Sequence, residues 1–407
     1  MPRLRCLLPV LVILALAGCG VGDVPSQAPG SSASDAGATP ADNTGVPGEN
    51  ATGLPGENAT GLPGENATGL PGTQFSCSPV TAPGQARCTL EINVNAGTLS
   101  DPQAPAAMIP GLHPSDLIDA YAFPAQNAGG TVAVVDAYDD PNALGDLAVY
   151  RSTFGMPPCG NADGCFRKVN QRGQTSGYPS VNAGWSNETA LDLAMVSAAC
   201  PNCRIVLVEA DSALIDDLGA SVDEAATFAP KAISNSYYAA EWSDESSEGT
   251  HYRHPGISIT ASSGDAVAPF YPAASRDVTA VGGTTLTGSG GSWREQAWSH
   301  GGSGCSAYVA KPAWQHAAPC SSRSTVDVSV VADPNTGVAV FSSTAGGWIV
   351  AGGTSVGAPL VAGAYALAGN GVGPAYSYAH PRAFHPIGGT GYQAATGLGS
   401  PSGILGL

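Results

Sequence analysis

Short, uninterrupted apolar runs that alternate with helical patterns constrain this chain most. Val132, Ala133, Val134 and Val135 form one such run, and residues 204–209, 232–234 and 257–260 supply others. Between them lie helical patterns at residues 143–154, 188–199 and 212–228. Strands apolar on both faces belong in a parallel sheet with helices packed on each side, whereas a half-solvated sheet would alternate polar and apolar residues. The pattern therefore predicts an α/β fold, a three-layer domain with a mostly parallel central sheet and helices on both faces. In such sheets the chemistry gathers at the carboxyl ends of the strands. One catalytic domain is expected at residues 111–407.

The residues before it read differently. Arg3 and Arg5 precede an apolar run from Leu7 to Ala17, which closes on Leu16, Ala17, Gly18 and Cys19. The run is too short to span a bilayer. It reads as a bacterial lipoprotein signal over residues 1–19, with Cys19 the lipidated residue. Residues 20–74 are rich in Ser, Ala, Pro and Gly and repeat an eight-residue unit from Gly48, Gly56 and Gly64. So short and polar a unit cannot stack a core, so a tether is expected. Residues 75–110 form a short disulfide-bearing segment.

Of the ten cysteines, those outside Cys6 and Cys19 fall in close pairs: Cys77 and Cys88, Cys159 and Cys165, Cys200 and Cys203, Cys305 and Cys320. Outside the cytoplasm such pairs read as local disulfides. Cys200 and Cys203 also have the spacing of half a zinc site, but no second such pair exists to complete it. The location expected is extracytoplasmic, either a cell-envelope lipoprotein or a secreted form. A net charge of −17 excludes nucleic acid as a partner, because phosphates would be repelled. A monomer that touches the membrane through its lipid alone is the simplest expectation.

Three places carry chemistry. Gly352, Gly353, Thr354 and Ser355 precede a run of small apolar residues that reads as a buried helix. Ser355 is thus placed near a helix N-terminus, where developing negative charge is favoured. An N-cap role would use the same position. Glu188 and Asp192 stand four apart on a predicted helix, so they share a face and can share a proton. Trp185, Leu191, Leu193 and Met195 surround them, and apolar surroundings raise carboxyl pKa values. Asp265 follows Ser262, Ser263 and Gly264 at the end of a strand. The seven histidines include none in a His-Gly-Thr-His setting.

These blocks, with Asp136 to Pro141, Tyr271 to Pro272, Asp327 to Ser329 and Thr396 to Pro401, resemble the sedolisin family of serine-carboxyl peptidases. The resemblance implies a subtilisin-like fold and an acid-active endopeptidase acting on peptide or protein substrates. It also implies roles: Ser355 as nucleophile, Glu188 as general base and acid, Asp192 as its proton partner, and Asp265 as oxyanion stabiliser. Ser263, Gly264, Gly353 and Thr354 would line the substrate. Asp136 matches the strand position that orients a histidine in subtilisins. With no such histidine, a structural role is expected for it.

Two departures stand out. The family's calcium site needs carboxylates where this chain has Pro386 and Gln393, so no cofactor or metal is expected. Only the tether and residues 75–110 precede the catalytic domain, so no long inhibitory prodomain is expected. A tripeptidyl-releasing exopeptidase on the same fold, and a catalytically silent surface lipoprotein that binds peptides or partners, are the competing readings.

Overall fold

Three short strands open the folded part: β1 (Thr73–Phe75), β2 (Arg87–Cys88) and β3 (Glu91–Asn93). The computed structural model describes residues 70–407 except 81, 83, 125–128 and 370–371, all within one unit spanning residues 59–407. The signal segment, Cys19 and the repeats lie outside the described residues. After α1 (Pro114–Tyr121), strands and helices alternate: β4 (Thr131–Ala137), α2 (Ala143–Thr153), β5 (Phe166–Asn170), α3 (Ala183–Ala199), β6 (Arg204–Ala210) and α4 (Ile215–Thr227). Then come β7 (Ala232–Asn235), β8 (Tyr237–Ala240), β9 (Ser258–Ser262), β10 (Phe270–Tyr271), β11 (Val278–Thr287) and β12 (Arg294–Ala297). The chain continues through β13 (Gly304–Ala310), β14 (Ser322–Thr325), β15 (Val328–Val331), β16 (Val338–Ser342) and β17 (Gly347–Gly352). It ends in α5 (Gly357–Ala368), α6 (Gly373–Ala379) and short terminal pieces.

The central sheet runs β12-β11-β9-β7-β4-β6-β5, with β15 added beside β11. Every pairing in it is parallel except β11 with β12. The alternation of side chains along β4 explains the three layers. Val132 and Val134 enter the core shared with α3 and α5, while Ala133, Val135 and Ala137 enter the core under α4. Asp136 has the parity of Val132 and Val134, so it faces α3.

Helix α3 is buried along every residue from Trp185 to Ala199, its polar residues included. It starts five residues before the helical pattern read from the sequence, because Asn182 caps it. The Asn182 side chain accepts from the N–H groups of Gly184 and Trp185 at 3.0 and 3.2 Å. Glu188 and Asp192 therefore sit in the helix body, one turn apart on one face.

The segment at residues 75–110 does not stand apart from the catalytic domain. Strands β1, β3, β17 and β16 form one sheet in that order, and β2 joins β8 and β10 in another. Thr73 and Gln74, which composition places in the tether, belong to β1. All four close cysteine pairs are bonded, Cys77 to Cys88, Cys159 to Cys165, Cys200 to Cys203 and Cys305 to Cys320.

Candidate active site

The carboxyl end of β4, the body of α3, the turn after β9 and the turn before α5 meet at one point. Ser355 lies in a 3-10 turn, Thr354–Val356, that leads straight into α5. It is not the cap of that helix, since the N-cap position falls to Val356. Gly353 holds φ at +95°, a value that glycine adopts without strain, and this bends the chain so that Ser355 faces α3. Ser355 Oγ donates to Ser236 O at 3.4 Å and touches the Thr89 hydroxyl.

Glu188 faces Ser355 from α3, Asp192 lies beside Glu188 one turn on, and both are fully buried. Burial is the largest influence on Glu188 and pushes its carboxyl well above the usual range. The neighbouring Asp136 charge pushes the same way, while the Ser355 hydroxyl and the Leu90 N–H pull it back. Asp192 is likewise held well above the usual range by burial, then by Asp136 and Glu188, with Ser236 opposing. Neither oxygen of Asp192 nor Oε1 of Glu188 has a partner in full hydrogen-bonding geometry among the described residues. Buried this deeply and beside one another, such groups hold protons rather than charge.

Asp265 completes the set. Thr354 donates to Asp265 Oδ1 through both its N–H and its hydroxyl, each at 2.8 Å. The Gly264 N–H in turn donates to the Thr354 hydroxyl at 3.1 Å. With Oδ1 accepting twice, a proton on this carboxyl resides on Oδ2, which is buried with no partner. Burial, then the Glu91 charge, hold Asp265 well above the usual range. Gly264 takes φ +99° and packs under the Phe270 ring, where a methyl group would fall 2.4 Å from Cδ2. Ser263 is buried too, its N–H donating to Val281 O at 2.9 Å.

Two features lie beyond the four catalytic residues expected from the sequence, and the first of them, Asp136, had been expected to play a structural role. Asp136 is fully buried beside Glu188 and Asp192, and burial pushes its carboxyl up to about 7. Its parity on β4 relative to Val132 and Val134 was the available signal. The second is the segment running from Arg87 to Glu91, which packs on the cluster through the Thr89 hydroxyl at Ser355 and the Leu90 N–H at Glu188. An open cleft of about 790 Å³, lined by Asp139, Asp140, Lys168 and Tyr178 among others, lies between the turn after β4 and the body of strand β5. It is separate from the Ser355 cluster, whose members are at most 1 % exposed.

No family model matches the chain. Kumamolisin from Bacillus sp. (strain MN-32) is 28% identical over 358 residues, which cover 72% of this chain and 62% of kumamolisin. The chain thus spans less than two thirds of that relative's length. Among solved structures, Pseudomonas sedolisin, a serine-carboxyl proteinase complexed with two molecules of pseudo-iodotyrostatin, matches with a TM-score of 0.62. That match has 22% identity and covers 72% of this chain and 96% of sedolisin. By sequence the chain is similar to the sedolisin family of serine-carboxyl peptidases, and it carries their subtilisin-like α/β fold.

Proposed function

We propose that this chain is an acid-active serine-carboxyl endopeptidase. The observation that carries the reading is the meeting of Ser355 with Glu188, Asp192, Asp136 and Asp265 in one buried cluster. The charges acting most on Glu188 and Asp192 are carboxylates, and no histidine is among them. Ser355 attacks a peptide carbonyl while Glu188 takes its proton, then returns it to the departing amine. Asp192 and Asp136 keep Glu188 basic enough to accept and acidic enough to donate, by sharing protons across the cluster. Asp265, protonated on Oδ2, donates to the oxyanion together with the Ser355 N–H. Ser263, Gly264, Gly353 and Thr354 shape the wall beside the scissile bond. The substrates are peptides or unfolded proteins, met outside the cytoplasm, with Cys19 as the lipid anchor.

Acid is needed because an ionised Asp265 would repel the oxyanion it is meant to hold. A denatured protein incubated with the acid-treated chain at about pH 4 should be hydrolysed, and Ser355→Ala should lower the rate at least about 10³-fold. Equal rates for the two would reject the proposal. No metal is assigned a part. Pro386 offers no side-chain oxygen and Gln393 only a neutral amide, so these positions lack the two carboxylates that the family's calcium site needs. Neither calcium nor a chelator should move the melting temperature, and a shift of several degrees with either would contradict this assignment.

A further inference from the structure

Behind the strands that flank the catalytic cluster lies a second, smaller space. Phe270 and Tyr271 of β10 pair with Ala240 and Ala239 of β8. Successive side chains of a strand leave it on opposite faces. The Phe270 ring packs on Tyr238 and over Gly264, on the side of the cluster. The Tyr271 ring lies instead 5.1 Å from that of Trp242 and 5.4 Å from that of Tyr252. There it lines a cavity of about 200 Å³, together with Glu245, Arg253, Arg276, Asp277 and Val309 among others. Neither Ser355 nor any carboxyl of its cluster borders this cavity.

The polar groups around it are unspent. Tyr271 is only 1 % exposed, and its hydroxyl has no hydrogen-bond partner among the described residues. A hydroxyl buried in that way costs free energy until something in the cavity meets it. Arg253 and Arg276 are exposed at the mouth, and neither has an ion pair or a side-chain hydrogen bond among the described residues. The chain has 32 acidic and 15 basic residues, yet these two guanidinium groups are left without a carboxylate. Asp277 stands with them, and the three also line an adjoining cavity of about 180 Å³. They precede β9 and β11, at the amino ends of strands whose carboxyl ends carry the catalytic cluster. Burial, then the Glu241 charge, push the Glu245 carboxyl up to about 8, so in acid it adds no charge to the interior.

We infer that this cavity binds a free α-amino acid with an aromatic side chain. The ligand carboxylate accepts from Arg253, Arg276 and the Tyr271 hydroxyl, groups that recognise a planar anion through charge-assisted hydrogen bonds. Its ammonium group pairs with Asp277, which would repel a simple anion such as phosphate. The ligand ring packs on Val309 and on the Tyr271 ring, extending a cluster that already holds Trp242 and Tyr252 in edge-on contact. Size agrees, since an apolar cavity of about 150 Å³ is enough to hold benzene. No residue of the catalytic cluster takes part, so this binding does not depend on the peptidase activity proposed above.

The test titrates L-phenylalanine into the full chain by calorimetry at about pH 5.5, where the amino acid is a zwitterion. One molecule should bind per chain, with a dissociation constant of about 1 mM or tighter. L-phenylalaninamide lacks the carboxylate and N-acetyl-L-phenylalanine lacks the ammonium, and each should bind at least about 10-fold more weakly. Replacing both arginines, Arg253→Ala with Arg276→Ala, should weaken L-phenylalanine by a similar factor. Asp277→Asn should erase its advantage over the N-acetyl compound. Tyr271→Phe keeps the ring and should weaken binding about 5-fold. The arginine and Asp277 changes lie outside the core, so these variants should melt like the wild type. No binding up to about 20 mM would overturn the site, as would undiminished binding by the folded double arginine variant. The amide or the N-acetyl compound bound as tightly as L-phenylalanine would overturn the assignment to an amino acid.

Discussion

Asp265 illustrates how two threonine donors can decide which oxygen of a carboxyl keeps a proton. Thr354 gives Oδ1 both its N–H and its hydroxyl, so Oδ2 is the oxygen left to donate. Removing it should cost a large part of the transition-state stabilisation. Asp265→Ala is expected to lower kcat about 10²- to 10³-fold, the usual loss for one oxyanion donor. Asp265→Asn keeps an N–H at every pH and should lose less, with its activity extending toward neutrality. Measured kcat values at several pH settings separate the two, and equal losses would argue that this carboxyl only packs. Gly353 is constrained on the other side of the same space. A methyl there would collide with Thr89 O, and φ +95° already disfavours any side chain.

Among the elements, α3 and the β2–β3 segment do opposite things to the cluster: one supplies carboxyls, the other covers them. The Gly353→Ala variant should displace the segment and leave the central sheet intact. Hydrogen exchange would then show lost protection at Leu90 and Arg87 with protection retained along β4 and β6. Uniform loss would mean that the segment is an integral part of the core. Much of the central architecture could be read beforehand. The apolar runs of β4, β6, β7 and β9 announced a parallel sheet, and the Glu188–Asp192 spacing announced a shared helix face. The start of α3 was missed because Asn182 lies outside the apolar pattern and caps it through its side chain. The segment from Arg87 to Glu91 was missed for a different reason. Strands of two or three residues carry too little periodicity to be seen, and their partners β8 and β17 lie far along the chain. Asp136 was set aside because its known counterpart serves a histidine, while its neighbours here are two carboxyls reached only through the fold.

The whole molecule carries a pH dependence of stability that follows from its buried acids. Burial pushes Asp136 and Asp140 up to about 7, and Glu209 and Glu245 up to about 8. The native state therefore holds protons that an unfolded chain would release near pH 4. The stabilisation is complete below that point and is lost as pH rises through 7 to 8, at about 1.4 kcal/mol per pH unit for each titrating group. The melting temperature should be highest in acid and fall between about pH 5 and 8. A melting temperature that climbs over that interval would contradict these shifts. The same protons govern activity, so the most direct test is the pH dependence of kcat/KM on a denatured protein, taken with the acid-treated chain and its Glu188→Gln variant. The carboxyl relay predicts activity confined to acid, fading toward neutrality, and nearly abolished in Glu188→Gln. A rate that instead climbs through about pH 6.5 to a neutral plateau, as an imidazole base would give, and that survives Glu188→Gln, would contradict it.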